Sequence, residues 1–123
     1  MEKITGIAFS SYLLSEEDLL ALECSTQTSN RILSRDSGHF FTLSLFNCSC
    51  CEDVDTHLQS ELSLAFGDLV VPRLSNNFRQ AVKLALVTNS NLVEFDQDVP
   101  VPEREVQVNT ENGSFTFIFD VDG

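Results

Sequence analysis

The stretch REVQVNTENGSFTFIFD, residues 104–120, decides how this chain folds. Apolar and polar residues alternate on both sides of Asn112-Gly113. Asn-Gly is a strong hairpin signal because a tight two-residue turn needs positive φ at both central positions. With the loop at Asn112-Gly113, Glu111 faces Ser114. Val106, Val108, Phe115, Phe117, Phe119 and Val121 then share one face of the hairpin. Glu105, Gln107, Asn109, Thr116, Ile118 and Asp120 share the other. That separation predicts one buried and one wet side.

Working back from the hairpin, a link bearing Pro100 and Pro102 follows a short apolar strand, Leu92 to Phe95. Before it lies the clearest helix. Leu74, Phe78, Ala81, Val82, Ala85 and Leu86 recur at helical spacing, with Ser75 as N-cap and Asn89 and Asn91 beyond its end. Arg79 and Lys83 lie on its outer face. With Arg73 they form the one basic stretch and read as a solvated helix face. The sequence Leu69-Val70-Val71 before Pro72 predicts a short strand. A second helix is expected over 53–66 from Val54, Leu58, Leu62 and Ala65, capped by Asp53 and ended by Gly67.

The first half continues the pattern. Residues 31–35 and 39–46 read as two strands around Asp36-Ser37-Gly38, with Phe41, Leu43 and Leu45 directed to a core. Residues 24–30 read as a polar loop. Leu14-Ser15-Glu16-Glu17-Asp18-Leu19 is a helix start: Ser15 caps the amides, Asp18 answers it three residues on, and Leu14 and Leu19 form the hydrophobic staple. That helix is expected to stop near Glu23. Residues 3–9 read as a first strand. Helix faces and hairpins each have one apolar side, so layering them buries both. The expectation is a single α+β domain over 1–123, with about three helices on a mainly antiparallel sheet. Its core should include Leu19, Phe41, Leu43, Leu58, Leu62, Phe78, Val82, Phe115, Phe117 and Phe119.

Composition limits the function. The 123 residues carry 19 acids against 7 Lys plus Arg, a formal net charge of −12. Direct nucleic-acid binding is unexpected, because phosphate contacts require a basic footprint. No apolar run approaches a membrane span of about 18 residues, and no secretory leader is read, so a cytoplasmic location is expected. Ten Phe supply buried surface and argue against disorder.

Four cysteines occur: Cys24, Cys48, Cys50 and Cys51. Reduced thiols are the expectation in a cytosol. The C-x-C-C spacing at Cys48, Cys50 and Cys51, even with His57, fits zinc poorly, since zinc pairs are usually two to four residues apart. No metal, cofactor or catalytic residue is assigned. G-x-S-x-G, P-loop and H-E-x-x-H are all missing from the sequence, and His39 and His57 read as structural.

Charge placement is the feature with functional content. Residues 92–123 hold eight acids and one base, Arg104. Glu94, Asp96 and Asp98 alternate and would share a strand face. The expected register sets Glu105 opposite Asp120 and, if pairing extends that far, Glu103 opposite Asp122, a like-charge opposition costing up to about 1 kcal/mol per pair. Acids kept at such a cost point to a binding face of Glu94, Asp96, Asp98, Glu103, Glu105, Asp120 and Asp122. Its partner would be a cationic protein surface, such as the Lys- and Arg-lined groove of a nucleic-acid-binding complex. Solubility alone is the plain alternative for these acids. They also form an Asp-x-Asp that lacks the Gly and Glu of an EF-hand loop.

A small acidic α+β chain with Phe-rich hairpins resembles the anti-CRISPR and anti-restriction proteins of phages and plasmids. The resemblance implies a stoichiometric, non-catalytic inhibitor of a host defence complex, acting as a DNA mimic. A fainter likeness is to mobile-element proteins that pair an early Ser-Thr-Ala-His segment with a late Phe-Asp-x-Asp. Here the counterparts are Ser25-Thr26-Gln27-Thr28 and Phe95-Asp96-Gln97-Asp98. The rival expectation is an immunity or adaptor module that binds a protein through apolar surface.

Overall fold

The computed structural model describes residues 6–25, 32–35, 40–45, 54–88, 90–96, 98–110 and 113–120. The elements run β1 (Gly6–Ser10), α1 (Glu16–Ser25), β2 (Ile32–Arg35), β3 (Phe40–Ser44), α2 (Val54–Phe66), α3 (Asn76–Val87), β4 (Leu92–Asp96), β5 (Glu105–Thr110) and β6 (Gly113–Ile118). Short 3-10 turns lie at Ser11–Leu13 and Val71–Arg73. The described residues form an α+β fold with three helices, as the residue pattern predicted.

The strands form two sheets. Four pair in the order β1-β4-β3-β2, and β5 with β6 forms a separate ribbon. β2 pairs with β3 and β3 with β4 in antiparallel fashion, whereas β1 runs parallel to β4. Period-two alternation sends one set of side chains to the core. Phe9, Phe95 and Phe41 form one row across three strands. Ile7, Val93, Leu43 and Ile32 form the next across all four. Phe78 of α3 stacks on Phe95 at 5.3 Å, and Phe66 of α2 meets Phe78 edge-on at 5.5 Å. This aromatic chain joins helices to sheet, and each fully buried side chain stabilises by roughly 1.5–3 kcal/mol.

Of the ten residues expected in the core, eight are buried; Leu19 and Phe115 are partly buried against it. The two short strands β1 and β4 add Phe9, Val93 and Phe95, with Leu22 from α1.

The helix starts follow the predicted chemistry. Ser15 Oγ accepts from the Asp18 amide at 3.1 Å, and Asp18 Oδ2 accepts from the Ser15 amide at 3.0 Å. Ser75 caps α3 by accepting from the Phe78 amide at 3.3 Å. α1 runs to Ser25, two residues past the expected stop. Gly67 ends α2 at φ +92, a conformation that favours glycine. The proposed cap Asp53 and the segments around Asp36-Ser37-Gly38 and 26–31 lie outside the described residues.

Two expectations are corrected. Leu69-Val70-Val71 is a turn leading into a 3-10 helix. Val70 and Val71 amides both bond back to the Gly67 carbonyl, at 3.2 and 3.3 Å, and Pro72 has no amide to give a ladder. Val71 is buried while Leu69 is 90% exposed. The C-terminal hairpin is also registered differently. Thr110 pairs with Gly113 and Glu105 with Ile118, two positions from the expected register, and Gly113 opens β6 at φ +128. The apolar face survives this shift of two: Val106 faces Phe117 and Val108 faces Phe115. Phe119 lies beyond the ribbon and meets Phe9 at 6.1 Å.

Candidate functional site

The acids selected from the sequence are distributed over three pieces of backbone. Glu94 and Asp96 stand on β4, on the sheet face opposite Val93 and Phe95. Their row neighbours are small or neutral: Ala8 and Thr42 flank Glu94, and Ser10 pairs with Asp96. Both acids are half-buried, and Ala8 is exposed. Asp98 does not continue the strand. It lies in a turn, where its amide donates to Asp96 Oδ1 at 2.9 Å. The three acids therefore form a strand pair and an adjoining Asx turn, in place of one alternating row.

Glu103 and Glu105 are exposed at the start of the hairpin. The expected opposition of Glu105 and Asp120 is absent. Glu105 faces Ile118, not Asp120. A register that sets a carboxylate against an apolar side chain avoids the like-charge cost of the alternative. Asp120 is exposed but its backbone is held. Its amide donates to Asn77 Oδ1 at 2.6 Å, and its carbonyl accepts from Asn77 Nδ2 at 2.9 Å. Asn77 Nδ2 also donates to the Leu13 carbonyl, and Asn76 Nδ2 to the Ile118 carbonyl. The first turn of α3 thus fixes the end of β6. Asp122, and with it the proposed partner for Glu103, lies outside the described residues.

The basic side chains do not neutralise this set. Arg79 donates to the Leu74 carbonyl at 3.3 Å and to the Val71 carbonyl, so it closes the turn before α3. Lys83 pairs with Asp55 of α2 at 2.9 Å. Among the described residues no ion pair reaches Glu94, Asp96, Glu103 or Glu105. Glu16 and Glu17 were not among the acids selected from the sequence. Both are exposed on the first turn of α1 and extend the negative surface. The signal was available: α1 contains no Lys or Arg.

One acid is used internally. Asp18 is fully buried, and its carboxylate also accepts from the Ser75 amide at 2.8 Å and from Ser75 Oγ. It joins the N-termini of α1 and α3. His57 Nε2 lies 3.9 Å from Glu61 Oε1, one turn along α2. Cys48, Cys50 and Cys51 lie outside the described residues, and Cys24 is exposed. Among the described residues no group of three or more metal-ligating side chains converges. Among the described residues no helix is long and apolar enough to cross a membrane. No protein-family model, curated protein or solved structure significantly matches the chain.

Proposed function

We propose that this protein is a non-catalytic, cytoplasmic inhibitor that binds the cationic surface of a nucleic-acid-binding host defence protein, in the manner of a DNA mimic. One observation carries this reading. Glu94 and Asp96 lie on a sheet face beside small uncharged neighbours, with no ion pair drawn to either among the described residues. A carboxylate left unpaired on a rigid central strand is pre-placed for a cation from outside. Asp98, Glu103, Glu105 and Asp120 add exposed charge. A net charge of −12 would steer such an encounter over long range.

The test is capture of the partner from nuclease-treated host lysate on the tagged protein. Retention should fall steeply between low and moderate salt, because the Debye length contracts to about 8 Å at physiological ionic strength. The double substitution Glu94→Lys and Asp96→Lys should abolish capture. Retention that is indifferent to both salt and the substitutions would overturn the proposal.

A second reading has its own observation. Tyr12, Leu20, Leu64 and Leu69 are 76, 60, 65 and 90% exposed. These favour an adaptor or immunity module docking through apolar side chains. Capture that survives high salt and is lost in Leu69→Asp would select it.

A further inference from the structure

We propose that the outer edge of β6 is a self-association surface, where Ser114 and Thr116 pair with the same strand of a second copy of this chain. One bond fixes which way the backbone groups point. The Phe119 amide donates to the Arg104 carbonyl at 2.8 Å. In the register that sets Glu105 opposite Ile118, Arg104 lies directly opposite Phe119, so that pair is a hydrogen-bonded one. Bonded pairs alternate along an antiparallel ladder. Phe117, Phe115 and Gly113 therefore turn their amides and carbonyls toward β5. Ser114, Thr116, Ile118 and Asp120 turn theirs outward.

α3 covers only part of that outward row. Asn76 Nδ2 donates to the Ile118 carbonyl, and the Asn77 side chain takes both the amide and the carbonyl of Asp120. Two side-chain amides thus stand in for a neighbouring strand. The row then runs on to Thr116 and Ser114, which are exposed. Among the described residues no strand lies beside them, and their amides and carbonyls meet no protein partner. Open edges are usually guarded by charge or proline. β5 has such a guard: it opens on Glu105, with Pro102 and Glu103 just ahead. β6 reads GSFTFI and carries neither.

The free groups are self-complementary about a two-fold axis, which makes a second copy the occupant. Antiparallel pairing centred on Phe115 sets Ser114 opposite Thr116 of the second copy, and Thr116 opposite its Ser114. Each such pair exchanges amide and carbonyl bonds in both directions. Centring on Thr116 instead brings Ser114 against Ile118, whose carbonyl Asn76 already holds. In the favoured register the two Phe115 rings meet at a non-hydrogen-bonded position, where side chains approach most closely. The ribbon of two strands becomes a sheet of four, a more stable unit. No charge lies on the paired segment, so the repulsion between two chains of −12 acts only from farther off, and salt screens it.

Sedimentation of the intact chain over a range of concentrations, at low and at moderate salt, tests this. The expected result is a monomer–dimer equilibrium that shifts toward dimer as salt is raised. Thr116→Pro removes an outward amide at an edge position that accepts proline, and should give monomer with an unchanged circular dichroism spectrum. Ser114→Lys with Thr116→Lys sets like charges against each other across the axis, and should weaken the dimer about tenfold. Ser114→Lys with Thr116→Glu sets opposite charges together and should restore it. A chain that stays monomeric at moderate salt, a dimer untouched by the double lysine variant, or equal effects of the two charged variants would each overturn the inference.

Discussion

Asp18 shows how much one side chain can do in this fold. It is the third residue of α1, where a carboxylate complements the free amides and the positive end of the helix. The same group reaches Ser75, the N-cap of α3, 57 residues away in sequence. Truncation to alanine would remove the acceptor of the Ser15 and Ser75 amides at a partly buried junction. We expect Asp18→Ala to cost about 3 kcal/mol, combining a lost cap with lost charge-assisted hydrogen bonds. Urea denaturation would measure it; a change below about 1 kcal/mol would mean that the two helix starts are held by other contacts. Leu69 is the opposite case. Exposed on its turn, it should tolerate Leu69→Asn within about 0.5 kcal/mol. That indifference makes substitutions at Leu69 clean probes of binding.

At the scale of elements, the C-terminal ribbon is the piece whose pairing controls the charge argument. Because Glu105 faces Ile118, its carboxylate does not confront Asp120. Glu105→Lys and Asp120→Lys should therefore be additive in stability to within about 0.3–0.5 kcal/mol, as for independent sites. A larger coupling in a double-mutant cycle would restore the opposed register. The ribbon is attached to the rest of the fold by Phe119 on Phe9 and by the Asn76 and Asn77 amides. Asn77→Ala removes two of those bonds at once, together with a third to the Leu13 carbonyl. Amide exchange over β5 and β6 should quicken in that variant, while exchange in β3 and β4 stays at the wild-type rate. Equal acceleration everywhere would show that ribbon and four-stranded sheet open together.

For the whole molecule, the excess of acids opposes compaction while the aromatic chain through Phe9, Phe95, Phe78 and Phe66 favours it. Added salt should screen the repulsion and raise Tm at neutral pH; a Tm that does not move would mean the exposed carboxylates are too far apart to matter. Much of this organisation is legible in the residues themselves. Local chemistry settles the capping box at Ser15 and Asp18, the apolar stripe of α3, the stop at Gly67 and the two faces of the hairpin. Each depends on neighbours a few positions away. What the residues leave open is decided across the fold. The parallel pairing of β1 with β4 and the central place of β4 depend on a crossover that brings residues 92–96 back beside residues 6–10. The hairpin register is equally compatible with two loop positions that share the same apolar face; the observed one frees Phe119 to reach Phe9 and avoids setting Glu105 against Asp120. The partner of Asp18 lies on another helix. Sequence alone determined which side chains are apolar, which can cap and where turns can form, because those are properties of a residue and its near neighbours. Only the tertiary structure decided which strands adjoin and which carboxylates stand apart, because those contacts come from burial shared between distant segments.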